Sequence, residues 1–141
     1  LENHREGYYQ RLKAISADGD WNGWLVFFLQ AIAIQATQNS ERVTAIQALY
    51  EEMKLAIQAA TRSQYTVHVL DAIFNKPIFR SSDLAQQLFR EFGIHEKTGQ
   101  GLLRQMRDTG ILRELRPGSG RRPSTLCFPR LINLAEGRTV I

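Results

Sequence analysis

The residues of this chain able to do covalent or acid–base chemistry are three histidines, one cysteine and a scatter of carboxylates, and their spacing assembles no familiar catalytic arrangement. His68 and Asp71 stand about one helical turn apart, where a carboxylate can orient an imidazole, but no serine or cysteine nucleophile accompanies them in a recognisable motif. Cys127 lies in an alternating apolar stretch without the charged neighbours that activate a thiol, which marks it as a packing residue. His4, His68 and His95 are too far apart to match any metal-ligand spacing, and one cysteine excludes an internal disulfide. No glycine-rich loop opens a helix in the pattern that cradles nucleotide phosphates. The expectation is a non-enzymatic protein with no catalytic residues, no metal and no cofactor.

Binding chemistry is better represented. Lys97, Gln100 and Arg104 follow one another at intervals of three and four, the spacing of one helical face, and Arg121 and Arg122 stand side by side in the glycine- and proline-rich stretch 116–123. Ammonium and guanidinium groups so placed suit phosphate oxygens and base edges.

The elements that must position these residues follow from the apolar pattern. Tyr8, Tyr9, Leu12 and Ile15 predict a short amphipathic helix over 3–17, and Asp18-Gly19-Asp20 a turn whose last residue caps the next helix. From Trp21 the apolar positions recur every three or four residues through Leu25, Phe28, Ile32, Ala36, Val43, Ile46, Leu49, Met53 and Ile57, with no proline or glycine after Gly23. This predicts one long helix over 21–62, or two with a break at Asn39-Ser40. A helix carrying Val67, Leu70, Ile73 and Phe74 must stop before Lys76-Pro77, because the residue ahead of proline is pushed out of helical geometry. Residues 78–80 then read as a brief extended segment. Ser81-Ser82-Asp83 supplies a cap and an acidic first turn for a helix ending at Gly93, and a third helix spans 95–109 with Leu102, Leu103 and Met106 inward and Gly110 closing it. Residues 111–115 and 124–128 read as strands flanking a basic tip.

Helix, short strand, helix, turn, helix and basic hairpin, in that order, predict a mainly α fold in which a long helical segment is followed by a winged helix-turn-helix with a small β-hairpin wing. The domains expected are a helical segment over 1–63 and the winged helix over 64–141. In such modules the third helix enters the DNA major groove while helix ends and flanking basic groups hold phosphates. Lys97, Gln100 and Arg104 are therefore the expected readers, with Gly99 close against the preceding helix, and Arg121 and Arg122 the expected wing contacts to phosphate or the minor groove. Glu96 is stabilised at a helix start but repelled by phosphate, and Gly101 leaves a contact position bare; both dilute the third helix as a reader.

Charge agrees with this division: residues 1–63 carry a net charge of −1 and residues 64–141 carry +5, within a total of +4. A basic half is the electrostatic footprint of a nucleic-acid binder. The longest apolar stretch, 24–36, is broken by Gln30 and Gln35 and falls short of the roughly 18 apolar residues of a membrane span. The N-terminal residues lack a secretory pattern, so no membrane contact and a cytoplasmic location are expected. The cluster Trp21, Trp24, Phe27 and Phe28, at helical spacing, reads as core.

The segment His4-Arg5-Glu6-Gly7-Tyr8-Tyr9-Gln10-Arg11-Leu12, followed by Gly19-Asp20-Trp21-Asn22-Gly23-Trp24-Leu25-Val26-Phe27-Phe28-Leu29, resembles the stretch just after the catalytic core of Fic (filamentation induced by cyclic AMP) proteins. The resemblance extends over essentially the whole chain, since that family often continues into a long helix and a C-terminal winged helix. In the family, AMP transfer from ATP to a hydroxyl depends on His-Pro-Phe-x-Asp/Glu-Gly-Asn-Gly-Arg; this chain has no His-Pro pair. The resemblance therefore implies that the motif would lie before Leu1 and that the chain is a C-terminal portion without activity of its own. The chain departs from the family pattern at His95, where a small hydroxyl residue is usual, and at Thr109, where a larger apolar one is. If Tyr8, Trp21, Leu25, Phe28 and Ile32 normally pack on missing helices, they form an exposed apolar stripe, and self-association through residues 1–63 is expected. The partners expected are double-stranded DNA and a second copy of the chain. The alternative reading is a protein-interaction or dimerisation module that controls an AMP-transferase domain.

Overall fold

The computed structural model describes residues 5–120 and 122–141. In chain order the elements are α1 (Arg5–Asp18), α2 (Trp21–Thr61), α3 (Thr66–Asn75), β1 (Ile78–Arg80), α4 (Ser81–Phe92), α5 (Glu96–Asp108), β2 (Arg113–Arg116), β3 (Thr125–Cys127) and α6 (Pro129–Glu136). They group into two compact units, residues 1–43 and 44–141. The division falls within α2, ahead of the 63/64 boundary the sequence suggested, because Leu49, Met53 and Ile57 of α2 are core residues of the second unit.

In the first unit, α1 and the opening of α2 are joined by a tight turn. Gly19 takes a left-handed φ of 67°, and Asp20 caps α2, its Oδ1 accepting from the Gly23 N–H at 2.9 Å. Gly23 leaves room for that cap, since a Cβ there would collide with the Asp20 carboxylate. Trp24 and Phe28, one turn apart, stack with ring centroids 5.1 Å apart, and the Phe27 ring rests 3.4 Å from where a Cβ on Gly7 would be. No described residue of this unit is buried. The aromatic cluster expected as core is thus only half covered, and Trp21 is 61% exposed. The α2 helix has no break at Asn39-Ser40; Gln35 Nε2 donates to Asn39 Oδ1 along its surface at 3.0 Å.

The second unit is a winged helix-turn-helix. α3, α4 and α5 are followed by a hairpin, and the three strands form one antiparallel sheet in the order β1-β3-β2. Ile78 pairs with Cys127 and Arg80 with Thr125 on one side of β3, Arg113 with Cys127 on the other. β2 carries an irregularity between Glu114 and Arg116. The core is apolar and continuous: Leu70, Ile73, Leu84, Leu88, Ile94, Leu103, Met106, Leu112 and Phe128 are all at most 2% exposed. Each helix stops where its sequence requires. Lys76-Pro77 ends α3, and Gly93, at φ 68°, closes α4 while its N–H reaches Phe89 O at 2.9 Å.

Two features depart from the sequence reading. Ser81-Ser82-Asp83 does not cap α4 with a side chain; the helix starts at Ser81 and the cap position is Arg80. The reason is tertiary, since the Ser81 N–H donates to Ser124 O at 3.0 Å and the two serine hydroxyls lie 3.1 Å apart. The second is α6, which the sequence reading did not include. It begins with Pro129 at its first turn, buries Leu131, ends on left-handed Gly137, and is tied to α2 by a two-pronged Arg130–Glu52 pair at 2.6 and 2.8 Å. Among the described residues no helix is long and apolar enough to cross a membrane.

Candidate nucleic-acid interface

The side chains singled out for α5 are positioned by the opposite face of the same helix. Gly99, Leu102, Leu103 and Met106 are buried. Gly99 lets α5 approach α4 closely, since a Cβ there would sit 3.4 Å from both the Cα and the Cβ of Ala85 and 3.6 Å from Leu88. With that face inward, Lys97, Gln100 and Arg104 are all exposed, as their spacing predicts. The helix start is held by His95, whose Nδ1 accepts from the Lys97 N–H at 3.3 Å. This fills the role that a small hydroxyl residue plays at many helix starts. Gly101 lies beside Gln100 with nothing within 4 Å of a notional Cβ.

The wing supplies Arg122, which is exposed and bridges Ser119 through reciprocal backbone hydrogen bonds of 2.9 and 3.0 Å. Left-handed Gly120, at φ 56°, turns the tip. Arg121 lies outside the described residues. Arg113 and Arg116 on β2 are exposed as well; sequence reasoning passed over them because it assigned the basic chemistry to the tip alone.

Gln100 and Arg104 also border a hollow of about 140 Å³, lined further by Arg107, Leu103, Ser81, Ser124 and Leu126. The hollow joins the start of α4, the middle of α5 and the entry to β3. No carboxylate lines it, although Arg107 already gives Nε and Nη2 to Asp108 Oδ1 at 3.1 and 2.9 Å. A larger hollow of about 450 Å³ lies against α4 and the approach to β1. There Lys76 and Arg90 are matched by Asp83 and Glu91, so it offers an anion no net attraction.

No family model matches this chain. The groups that sequence chemistry raised for catalysis are engaged structurally. His68 stacks on Phe92 with centroids 4.2 Å apart, and Asp71 accepts the Tyr50 hydroxyl at 2.6 Å. That bond and partial burial push the Tyr50 phenol up to about 12. Cys127 is fully buried, and burial pushes its thiol up against the opposing pull of Arg113. Among the described residues no group of three or more His, Cys, Asp or Glu could hold a metal.

The residues proposed from sequence as an interface lie on the first unit. Trp21, Leu25 and Ile32 are 61%, 46% and 49% exposed, whereas Tyr8 and Phe28 are half-buried. Leu29, 61% exposed, lies one turn on from Leu25 and widens the same stripe at its edge.

Proposed function

We propose that this chain is a non-catalytic, regulatory DNA-binding module, in which α5 enters the major groove of a duplex and the wing lies along the adjacent backbone. The observation that carries the reading is the exposed Lys97–Gln100–Arg104 face. It stands on a helix whose other side is locked into the core at Gly99 and Met106, and among the described residues no carboxylate pairs with Lys97 or Arg104. A rigid helix presenting unpaired cations and an amide is what groove reading requires. Arg122 adds a phosphate contact from the wing, with Arg121 beside it in sequence. On the resemblance to Fic proteins, the module would serve a protein of that family, acting in the cytoplasm on its own or alongside an AMP-transferase domain.

The test is fluorescence anisotropy with duplex DNA between about 50 and 200 mM salt. Binding should weaken steeply with salt, and Arg104→Ala combined with Arg122→Ala should flatten the dependence by roughly two counter-ions. Flat or undetectable binding would refute the reading. Labelled ATP incubated with the chain should give no transfer.

A second reading is favoured by the exposure of Trp21, Leu25, Leu29 and Ile32 on one face. In it residues 1–63 mediate self-association, or seat a partner domain, and the winged helix acts through protein contact. Contiguous apolar surface of this kind marks an interface in soluble proteins. Sedimentation showing a strict monomer at tens of micromolar would remove self-association.

A further inference from the structure

The hollow between α4, α5 and β3 has a donor inventory beyond what the exposed face of α5 requires. We propose that it seats a single phosphate group, with Arg104, Arg107, Gln100 and the Ser81 hydroxyl, oriented by Ser124, as its donors, and that the phosphate belongs to a nucleic-acid backbone. The inference rests on the DNA reading for the source of the phosphate and not for the existence of the seat.

Four observations converge. The first is charge: two guanidinium groups line the hollow and no carboxylate does. Arg107 is paired with Asp108, but its contact uses only Nε and Nη2 on one carboxylate oxygen, so its Nη1 remains as a donor while Arg104 supplies the net positive charge. The second is hydrogen-bond arithmetic. With Ser81 Oγ and Ser124 Oγ 3.1 Å apart, one hydroxyl donates to the other and the second keeps its proton for a ligand. Together with the amide of Gln100, the lining is dominated by donors, the complement of a group that only accepts.

Size is the third observation. About 140 Å³, open to solvent on one side, is room for a phosphate with some residual hydration, while the rest of a longer ligand stays outside. The fourth is rigidity. Ser81 and Ser124 come from segments bound together by the Ser81 N–H to Ser124 O hydrogen bond of 3.0 Å, while buried Leu103 and Leu126 form the floor. The two serines are therefore held in place before a ligand arrives, which lowers their share of the ordering cost of binding. The 450 Å³ hollow on α4 fails the same test, because its cations are balanced by Asp83 and Glu91.

The experiment uses the full chain and two variants chosen to leave the fold intact. Gln100→Glu keeps size at an exposed helical position, and Ser124→Ala retains the backbone bond to Ser81. Gln64→Glu, in the turn before α3, is the control of equal charge change. Circular dichroism checks that each variant folds. Inorganic phosphate is titrated against amide NMR signals, and duplex DNA of arbitrary sequence against anisotropy. We expect millimolar phosphate to shift the Ser81, Arg104 and Ser124 amides. Gln100→Glu should weaken duplex binding about tenfold and Ser124→Ala about threefold, and Gln64→Glu should leave it unchanged. Because Gln100 also belongs to the reading face, Gln100→Glu weakens duplex binding with or without the seat. Unaltered duplex affinity in Ser124→Ala, together with phosphate shifts that miss the hollow, would therefore overturn the seat while leaving DNA binding in place. Phosphate shifts mapping to the hollow without any duplex binding would keep the seat and overturn its nucleic-acid source, making free phosphate the ligand. Absence of both would overturn the two together.

Discussion

Two glycines two residues apart on α5 should respond unequally to the same substitution. Replacing a glycine in a helix interior by alanine stabilises the helix by about 1 kcal/mol, since the unfolded chain loses conformational freedom. At Gly101 nothing lies within 4 Å of the added methyl, so the full gain should appear. At Gly99 the methyl meets Ala85 Cα and Cβ at 3.4 Å and Leu88 at 3.6 Å, inside a tightly packed helix pair. The contact is at the short edge of the ordinary van der Waals range, and a small adjustment between α4 and α5 should offset part of the propensity gain. The expected difference between the variants is therefore about 0.5 kcal/mol, or ~2–4 °C in melting temperature for a unit of this size. Urea and thermal unfolding followed by circular dichroism measure it, with amide exchange at Leu103 and Met106 confirming that α5 is reporting. Gly99→Val should be clearly worse than either, because its extra methyls must enter Ala85 and Leu88. A Gly101→Ala protein no more stable than Gly99→Ala would show that the close α4–α5 approach is not what places glycine at 99. The same pair separates fold from reading: if α5 lies in the groove, Gly101→Ala should gain stability and lose duplex affinity.

Three further outcomes follow from the polar contacts. The Tyr50 phenol is raised to about 12 by its bond to Asp71, so the neutral form is favoured in the folded state; its stabilisation is complete below pH 10 and disappears as pH climbs toward 12. Absorbance at 295 nm should show one tyrosine ionising late, and Tyr50→Phe should abolish that late step and its share of the alkaline stability loss. Glu52 is held below its ordinary value by Arg130, so its contribution is complete above about pH 4.5 and is lost as pH falls through the lowered value. Arg130→Ala should shrink this acid limb, and added salt should shrink it too because the pair is exposed. Cys127 should resist iodoacetamide at pH 8 in the native protein and react at once in urea, as measured by mass; rapid native labelling would contradict its burial beneath the sheet.

What the chain disclosed in advance and what it withheld divide along one physical line. α2 was legible almost to its ends because its three-and-four repeat meets no proline or glycine after Gly23, the alternative break at Asn39-Ser40 being absent, and Lys76-Pro77 and Gly93 act through constraints local enough to see in sequence. The α4 cap was misread because Ser81 answers to Ser124, a partner forty-three positions away. For the same reason the hollow was invisible: Arg107, Ser81 and Ser124 share no motif, and only the pairing of β1 with β3 brings them together. α6 was detectable, through Pro129 at a helix start, Leu131 and Leu134 one turn apart and Gly137 after the last turn, but the reading stopped at the hairpin. Residue type misled at Trp21, whose size suggests core and whose indole is mostly in solvent.

The two units therefore present opposite problems. Residues 44–141 enclose a core of aliphatic and aromatic side chains and turn a basic helix face outward, so their exposed chemistry is polar and suited to a charged ligand. The described residues of 1–43 bury nothing, and their order comes from the Asp20 cap, the Trp24–Phe28 stack and the contacts of a helix pair. A unit of about 40 residues with so little covered surface gains little stability from its own packing. Apolar surface covered by a partner would supply more. Trp21, Leu25, Leu29 and Ile32 are the side chains able to supply it, by being covered. On the proposed function the polar face of α5 and the apolar stripe of α2 would serve different partners, and substitution at one should leave binding at the other intact.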